Sequence, residues 1–438
     1  MSNLTHTAAL MGLTLILFAS PLRAMQGDGE PEFYFTNPKV EEFVRQALDS
    51  NPEARQKLAE YRAAIQKIPQ VTALPDPMLT FTRFVRSVET RVGPQVSGLM
   101  LSQKFPWFGT LDLRGKLALR DASALYHGFR AFERNIAASI KDAFYELAYV
   151  DRARQITLQD QSLLTHYEQL AQSRYATGGG LQQAVIKIQA EITKTLSRLA
   201  LLNQQRESVV ARLNALRNRR PEEPVGPVET LPLPPAQLDL EELYELGEMH
   251  RPEIRATLDM IEQSQLAIEL AKKGYWPDVT ISTGLVDVGG REDPAGRALP
   301  PPDSGKNIYN FSVGINIPIR RDKYRAAVVG ASETLVAHRN RYTSLRNKIR
   351  LEVREQTSKI EMLREQLNLY EQVLTPQAES ALRSTEAAYE TGQLGALDLL
   401  DSERTLLEIR LSGARHATDY LRALARLELA LGTRFPLE

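Results

Sequence analysis

Residues 51–55 read NPEAR, and residues 251–255, 200 positions later, read RPEIR. An acidic pair and an apolar residue precede each stretch, at Glu41-Glu42-Phe43 and at Glu241-Glu242-Leu243. Proline is favoured in the first helical turn, because its missing N–H needs no partner there. Each half of the chain is therefore predicted to carry a helix that begins at this proline.

Further matches follow in the same order along both halves. Pro75-Asp76 corresponds to Pro277-Asp278, and YATG at 175–178 corresponds to YETG at 389–392. The second half carries extra Gly- and Pro-rich sequence at 289–306, which predicts a surface loop. We predict two structural repeats, each with a helix, two strands joined by a loop, a very long helix, a turn and a long helix. The predicted boundaries are a signal peptide at 1–24, a first repeat at 25–220, a Pro-rich linker at 221–238, a second repeat at 239–434 and a tail at 435–438.

Composition excludes several classes of protein. The chain has 54 Lys and Arg against 54 Asp and Glu, so its surface is not a general nucleic-acid footprint. The absence of cysteine excludes disulfides, Cys-bound zinc and thiol catalysis. A mean hydropathy of −0.31 excludes a polytopic helical membrane protein. The short apolar run at 8–19, followed by SPLRA at 20–24, fits the apolar region and cleavage site of a secretory signal, with a buried N-terminal helix as the alternative.

The strands have an unusual pattern. Residues 309–317 read YNFSVGINI, so one face is apolar over about ten residues and the other is polar or small. A half-buried soluble strand has the same period, but the long loop and the aromatics Trp107, Trp276 and Tyr309 favour strands with membrane-interface aromatics. Four strands cannot close a barrel, and a bilayer excludes open edges. The chain is therefore predicted to pool its strands with copies of itself.

The helices are abnormally long. Residues 322–392 contain one proline, Pro376, and would span roughly 105 Å at 1.5 Å per residue. Pro376 is predicted to kink this helix unless packing absorbs the strain. The last helix carries two narrow apolar seams, which favour packing on both neighbours in a ring, as in coiled coils. The alternative is a bundle that buries one broad face. The seams comprise Leu397, Leu400, Leu407, Leu411 and Leu421, and Leu399, Leu406, Ile409, Tyr420, Leu424, Leu427 and Leu431.

From about residue 37 to 435 the chain resembles the TolC-like outer-membrane efflux proteins. The resemblance is based on the repeats, LPDP at 74–77, GYWPD at 274–278 and the two Tyr-x-Thr-Gly turns. It implies a mainly α fold with transmembrane β: a homotrimer whose 12-stranded barrel, four strands per chain, lies in outer-membrane lipid above a periplasmic α-helical coiled-coil barrel. It also implies a passive exit duct that serves a periplasmic adaptor and an inner-membrane RND-type pump. LTPQAE at 374–379 is similar to the heavy-metal efflux members.

The resemblance also implies a periplasmic aperture. Asp398 and Asp401 lie three residues apart, so they share a helical face, and the matching family turn carries two aspartates that line the aperture. Tyr389 keeps the family's aromatic position. Ala184 and Leu394 replace an Asp and an Arg, so the sequence does not predict the prototype's ionic latch. The alternative for the two aspartates is an ordinary solvated pair.

The two turns are predicted to dock the adaptor. They comprise Gly178, Gly179 and Gly180, and Gly392, Gln393 and Leu394. The three glycines lack the Gly-Lys-Ser/Thr of a phosphate loop, and the six histidines lack metal-ligand spacing. The sequence therefore predicts no enzyme, no catalytic or metal site, no cofactor and no nucleic-acid partner. The alternative to a duct is a secreted periplasmic coiled-coil scaffold or adaptor without a membrane barrel.

Overall fold

The computed structural model describes residues 38–229, 231–236 and 239–433. The predicted signal peptide at 1–24 and tail at 435–438 lie outside these residues. Within them, the order of helices and strands in the first half recurs in the second half with two additions.

The first repeat begins with two short helices and ends with two long ones. Its elements are α1 Pro38–Ser50, α2 Pro52–Thr72, β1 Met78–Arg83, β2 Gln95–Phe105, α3 Thr110–Ala176 and α4 Gln182–Leu216. As predicted, α2 begins at Pro52. The Asn51 side chain accepts hydrogen bonds from the N–H groups of Glu53 and Ala54 at 2.9 and 3.2 Å, and so caps the helix. The 67 residues of α3 span roughly 100 Å.

The second repeat copies this order with two additions, a short helix in its loop and a π-turn in its long helix. Its elements are α5 Leu240–His250, α6 Pro252–Lys273, β3 Val279–Val288, α7 Pro294–Ala298, β4 Ile308–Ile315, α8 Arg321–Leu369, a π-turn at Tyr370–Leu374, α9 Thr375–Glu390 and α10 Ala396–Leu431. Helix α6 begins at Pro252, the second predicted start. The described linker residues, 221–229 and 231–236, form neither helix nor strand.

A π-turn, Tyr370–Leu374, lies directly before Pro376, where the kink is predicted. The N–H of Thr375 donates to the carbonyl oxygen of Tyr370, five residues back. Pro376 then lies in the first turn of α9, a position in which proline is favoured. The chain therefore continues as a helix through the proline.

The strands form one antiparallel sheet in the order β1-β2-β3-β4. The central pair, β2 with β3, joins the two repeats and aligns Leu99 with Leu285. Strands β1 and β4 are the two edges, and neither pairs on its outer side with another strand of the described residues.

Buried apolar side chains form two large clusters along the helices. The larger one joins α1, α3, α5, α8 and α10 and includes Phe144, Leu147 and Ile349. The second lies near the turns after α3 and α9 and includes Tyr167, Ile188 and Leu399. Most residues of both predicted α10 seams are buried, although Leu397 is exposed. Among the described residues, no helix has the length and apolar character needed to cross a membrane.

Candidate functional site

One face of the sheet is apolar and open to the surroundings. Strand pairing aligns the alternating residues of all four strands on this face. The side chains of Phe81, Tyr309 and Phe311 have exposed fractions of 65%, 79% and 69%. The aligned apolar residues are Leu79, Phe81, Leu99, Leu101, Phe105, Val279, Ile281, Leu285, Tyr309, Phe311, Val313 and Ile315. A contiguous exposed apolar face of this kind indicates contact with a partner or a membrane.

The opposite face is mostly polar or small. It aligns Ser102 with Ser282 and Ser282 with Ser312, and Gly284 with Asn310. An apolar face backed by a polar one is the pattern of strands that separate lipid from an aqueous lumen.

Aromatic side chains mark both ends of the sheet. Trp107 and Trp276 lie where the strands join the helices, and their rings stack at 4.9 Å with an interplanar angle of 9°. Tyr309 lies at the loop end of β4, opposite Leu285. The nine residue steps from Trp276 to Leu285 correspond to about 30 Å of extended chain, and a tilt near 40° reduces this length to about 23 Å, close to the roughly 25 Å of an apolar barrel band.

Asp278 connects the strands at the helix end of the sheet. Its carboxylate accepts from the Trp107 N–H at 3.1 Å and pairs with Lys104 Nζ at 2.8 Å. Both partners come from the first repeat. The PD motif of the second repeat therefore fastens the β2 and β3 ends together, which also fixes the position of Trp107.

The two predicted docking turns lie beside each other at the far end of the helices, which we call the tip. Gly178 and Gly392 have φ angles of 77° and 81°, which favour glycine. Arg174, at the end of α3, donates to the carbonyl oxygens of Tyr389 and Gly179. Its guanidinium carbon also lies 4.8 Å from the centre of the Tyr389 ring. Arg174 thus ties the first-repeat turn to the second, and sequence reasoning did not identify it.

The predicted aperture residues occupy different environments. Tyr389 is buried within the protomer, and its burial raises the pKa of its hydroxyl. Asp398 and Asp401 are exposed at the start of α10. The Gly395 N–H donates to the Asp398 carboxylate at 3.1 Å, so this aspartate also caps the helix. Leu394 lies in the turn, 40% exposed. The predicted docking residues Gly179, Gly180 and Gln393 share these two turns.

A buried carboxyl pair lies on α3 and α10, farther from the tip than the two turns. Glu403 of α10 is 2% exposed and Asp160 of α3 is 7% exposed. Burial raises the pKa of Glu403 to about 9, and a hydrogen bond with Asp160 and the charge of Asp160 act in the same direction. A carboxylic acid of this kind is neutral at pH 7. This pair was also missed in the sequence.

Another buried contact joins the same two helices closer to the sheet. Lys141 Nζ of α3 lies 2.5 Å from Glu428 Oε2 of α10, and both side chains are almost fully buried. Beside it, Arg422 donates to Asp142 at 2.8 and 3.2 Å and to Glu146 at 2.8 Å. Among the described residues, no group of three His, Cys, Asp or Glu side chains is placed to hold a metal ion.

Comparison with known proteins identifies this architecture. The sequence profile of the family described as "Outer membrane efflux protein" matches residues 243–433, which is nearly all of the second repeat. This match covers less than half of the chain, so it is the second repeat that is similar to members of this family. The matched family and the similar proteins are described as outer-membrane efflux proteins, outer-membrane proteins or outer-membrane channels.

Two relatives and one solved structure illustrate the similarity. The chain is 21% identical to the cobalt-zinc-cadmium resistance protein CzcC of Cupriavidus metallidurans, over 78% of each chain. It is 22% identical to the outer membrane protein TolC of Vibrio cholerae, over 90% of each. The solved outer-membrane channel OprN superposes with a TM-score of 0.76 at 20% identity, covering 90% of each chain. The predicted mainly α fold with barrel strands is thereby confirmed.

Proposed function

We propose that three copies of this chain close their sheets into one 12-stranded barrel and form a passive exit duct across the outer membrane. The observation that carries the proposal is the four-stranded sheet, which has an exposed apolar face, a polar face and two edges. Backbone groups at a sheet edge have no water to bind in a bilayer, so the edges need partner strands.

The strand directions fit closure between copies. Neighbouring strands are antiparallel throughout, so β1 and β4 run in opposite directions. When β4 of one copy lies beside β1 of the next, the new pair is also antiparallel. Barrels of this class have an even number of antiparallel strands. Three copies supply 12 strands, and the polar face then lines the lumen.

The absence of cysteine makes the edge contact testable by disulfide formation. We would place Thr80→Cys on β1 and combine it in turn with Asn310→Cys, Ser312→Cys or Gly314→Cys on the same face of β4. At one register, oxidation of outer membranes should give covalent dimers and trimers, which the single-cysteine variants cannot extend beyond dimers. Recovery of the protein as a soluble periplasmic monomer, without crosslinks at any register, would instead support the coiled-coil scaffold.

The tip is the proposed docking site for a periplasmic adaptor. The two turns are close in space, and they expose Leu181 and Leu394 next to long helices. Gln182→Cys and Gln393→Cys should each crosslink to a cysteine at the tip of the cognate adaptor. Ser304→Cys, in the loop at the opposite end of the strands, serves as the control. Crosslinking at Ser304 alone would reverse the proposed orientation.

An inner-membrane pump of the RND type is the proposed energy source, because nothing in the family's channel function supplies energy. Divalent metal ions are the proposed cargo. The similarity to CzcC, a cobalt-zinc-cadmium resistance protein, supports this cargo, together with the LTPQAE sequence at 374–379. Deletion of the gene should increase sensitivity to cobalt, zinc and cadmium more than to lipophilic drugs. The opposite ranking would reject the metal cargo while leaving the duct intact.

The aperture proposal concerns Asp398 and Asp401. Both carboxylates are exposed at the start of α10, beside the tip. Three copies would place six of them around the threefold axis, where rings of carboxylates attract cations. We propose that they form a cation filter at the periplasmic end of the duct.

A further inference from the structure

The carboxyl pair Asp160–Glu403 lies between the two helical hairpins of the protomer. Asp160 belongs to α3, which forms the first hairpin with α4. Glu403 belongs to α10, which forms the second hairpin with α9. Thr195 of α4 donates to Asp160 Oδ2 at 3.3 Å, so the Asp160 carboxylate is already fixed from within its own hairpin.

Within the described part of the chain, Arg404 is the cation that acts on Glu403, and it is engaged elsewhere. The neighbouring Arg404 pairs with Glu191 of α4, which Lys194 also contacts at 2.7 Å. Glu403 Oε1 is buried without a hydrogen-bond partner, and the Tyr167 hydroxyl of α3 is in the same condition. An ionised, unpaired carboxylate at such a position would be very costly. A proton is the ligand that removes this cost.

We propose that Glu403 keeps its proton at neutral pH and donates it to Asp160, which makes the pair a proton-dependent latch between the two hairpins. Loss of the proton places two negative charges together in a buried site, and their repulsion separates α10 from α3 near the tip. The consequence for duct opening rests on the proposed function. The latch itself does not.

The surrounding charges favour the neutral acid on balance. On α3, Asp160 and the buried Tyr167 face the site. Helix α4 contributes Glu191, whose charge disfavours ionisation of Glu403, and α9 contributes Glu386, which acts on Tyr167. On α10, Arg404 opposes these effects, but it is engaged by Glu191. Burial raises the pKa of Tyr167, so this hydroxyl is also neutral and supplies no counter-charge.

The pH dependence has a definite sign. Because the pKa of Glu403 is raised in the folded protein, the stabilisation is complete below its ordinary value of 4.5 and is lost as the pH rises towards about 9. Across that window the folding equilibrium constant should fall by up to about tenfold per pH unit for each protomer. Wild-type protein should therefore lose thermal stability on the alkaline side.

The test uses the full-length protein purified in detergent, with the variants Glu403→Gln and Asp160→Asn. Glutamine keeps the shape of Glu403 and donates to Asp160 without titrating. Glu408→Gln, at an exposed position of the same helix, is the matched control. The apparent melting temperature is measured from pH 5 to pH 10, and the infrared C=O band of protonated carboxyl groups is measured at pH 7.

We expect wild type and Glu408→Gln to show the alkaline loss and the carboxyl band. Glu403→Gln should flatten the pH profile and remove one carboxyl band per protomer. Asp160→Asn should lower the pH needed to ionise Glu403 relative to wild type, since it removes the negative neighbour. An unchanged band and profile in Glu403→Gln would overturn the latch.

Planar-bilayer recording separates the latch from the duct. Channels whose conductance rises above pH 9 in wild type, but not in Glu403→Gln, are the expected result. Channels without this pH dependence would overturn the role of the latch in opening. Absence of channels from trimeric wild type and all variants would reject the duct, while the melting and infrared results would still decide the latch.

Discussion

Helices α3 and α10 meet at two buried polar contacts of opposite character. Near the sheet, Lys141 and Glu428 carry opposite charges and lie 2.5 Å apart. Nearer the tip, Asp160 and Glu403 are both acids and rely on one proton. The α3 members are separated by about 30 Å along the helix.

The charged neighbours of the two contacts differ in the same way as the contacts themselves. Asp142 and Glu146, next to Lys141, are tied across the interface to Arg422 and Arg415. Beside Glu403, the cation Arg404 is held by Glu191 of α4. The contact near the sheet, Lys141–Glu428, is therefore held by opposite charges. The contact nearer the tip, Asp160–Glu403, can be broken by the loss of a proton.

This difference suggests that the two contacts between α3 and α10 have different roles. A contact between permanent charges keeps the two repeats together over the neutral pH range. A contact that depends on a proton allows the tip to respond to its surroundings. Substitutions at the two contacts and at the tip should distinguish these roles, and the largest effect is expected near the sheet.

Loss of the Lys141–Glu428 contact should destabilise the protein most. Glu428→Gln leaves the Lys141 ammonium buried without its carboxylate, so we expect the free energy of unfolding to fall by about 3–5 kcal/mol. Urea unfolding of the detergent-solubilised protein gives the measurement, with Glu408→Gln as the exposed control. A decrease in the unfolding free energy of less than about 1 kcal/mol would mean that the Lys141–Glu428 contact does not hold α3 and α10 together.

Loss of Arg422 should lower the unfolding free energy by a smaller amount, and this amount should depend on pH. Burial alone would raise the pKa of Asp142, but the hydrogen bond and charge of Arg422, together with Arg426 and Arg212, hold it below its ordinary value. We expect Arg422→Gln to cost about 1.5–3 kcal/mol at neutral pH.

The sign of this acid effect is opposite to that of the Glu403 effect. Because the pKa of Asp142 is lowered, its stabilisation is present above the ordinary value of 3.8 and is lost as the pH falls through the folded value. Wild type should thus lose stability at acidic pH, and Arg422→Gln should lose less of it there. Equal acid profiles in the two proteins would contradict the assignment to Asp142.

The smallest effect on stability is expected at the tip. Asp398→Asn keeps an acceptor for the Gly395 N–H and removes only the favourable charge at the helix start. We expect a cost below about 1 kcal/mol by the same urea measurement. A cost above 2 kcal/mol would indicate that Asp398 has a packing role and is unsuitable for testing the aperture.

Local sequence predicted most of the architecture. The starts of α2 and α6 follow from Pro52 and Pro252, and the strands follow from the alternation that ends in β4. Pro376 predicts a kink in the long helix, but it does not predict the π-turn that the structure places directly before it. These features depend on residues a few positions apart, so a single sequence contains them.

The cross-repeat contacts could not be predicted in this way. Asp160 and Glu403 are far apart in the chain, and carboxylates on helices are usually solvated. A signal was nevertheless present, because Glu403 follows Leu399 by four residues and precedes Leu406 by three, which places an acid inside an apolar seam. Arg174 was missed because the family comparison directed attention to position 394.

The duct is the central claim, and its most direct test is single-channel recording of the purified protein in planar bilayers across a salt gradient. Wild type should form discrete channels whose reversal potential shows a preference for cations, because carboxylates surround the aperture. The double variant Asp398→Asn and Asp401→Asn should still form trimeric channels, with a reversal potential closer to zero. Trimeric wild type that produces no channels would contradict the duct, and an unchanged reversal potential in the double variant would contradict the filter.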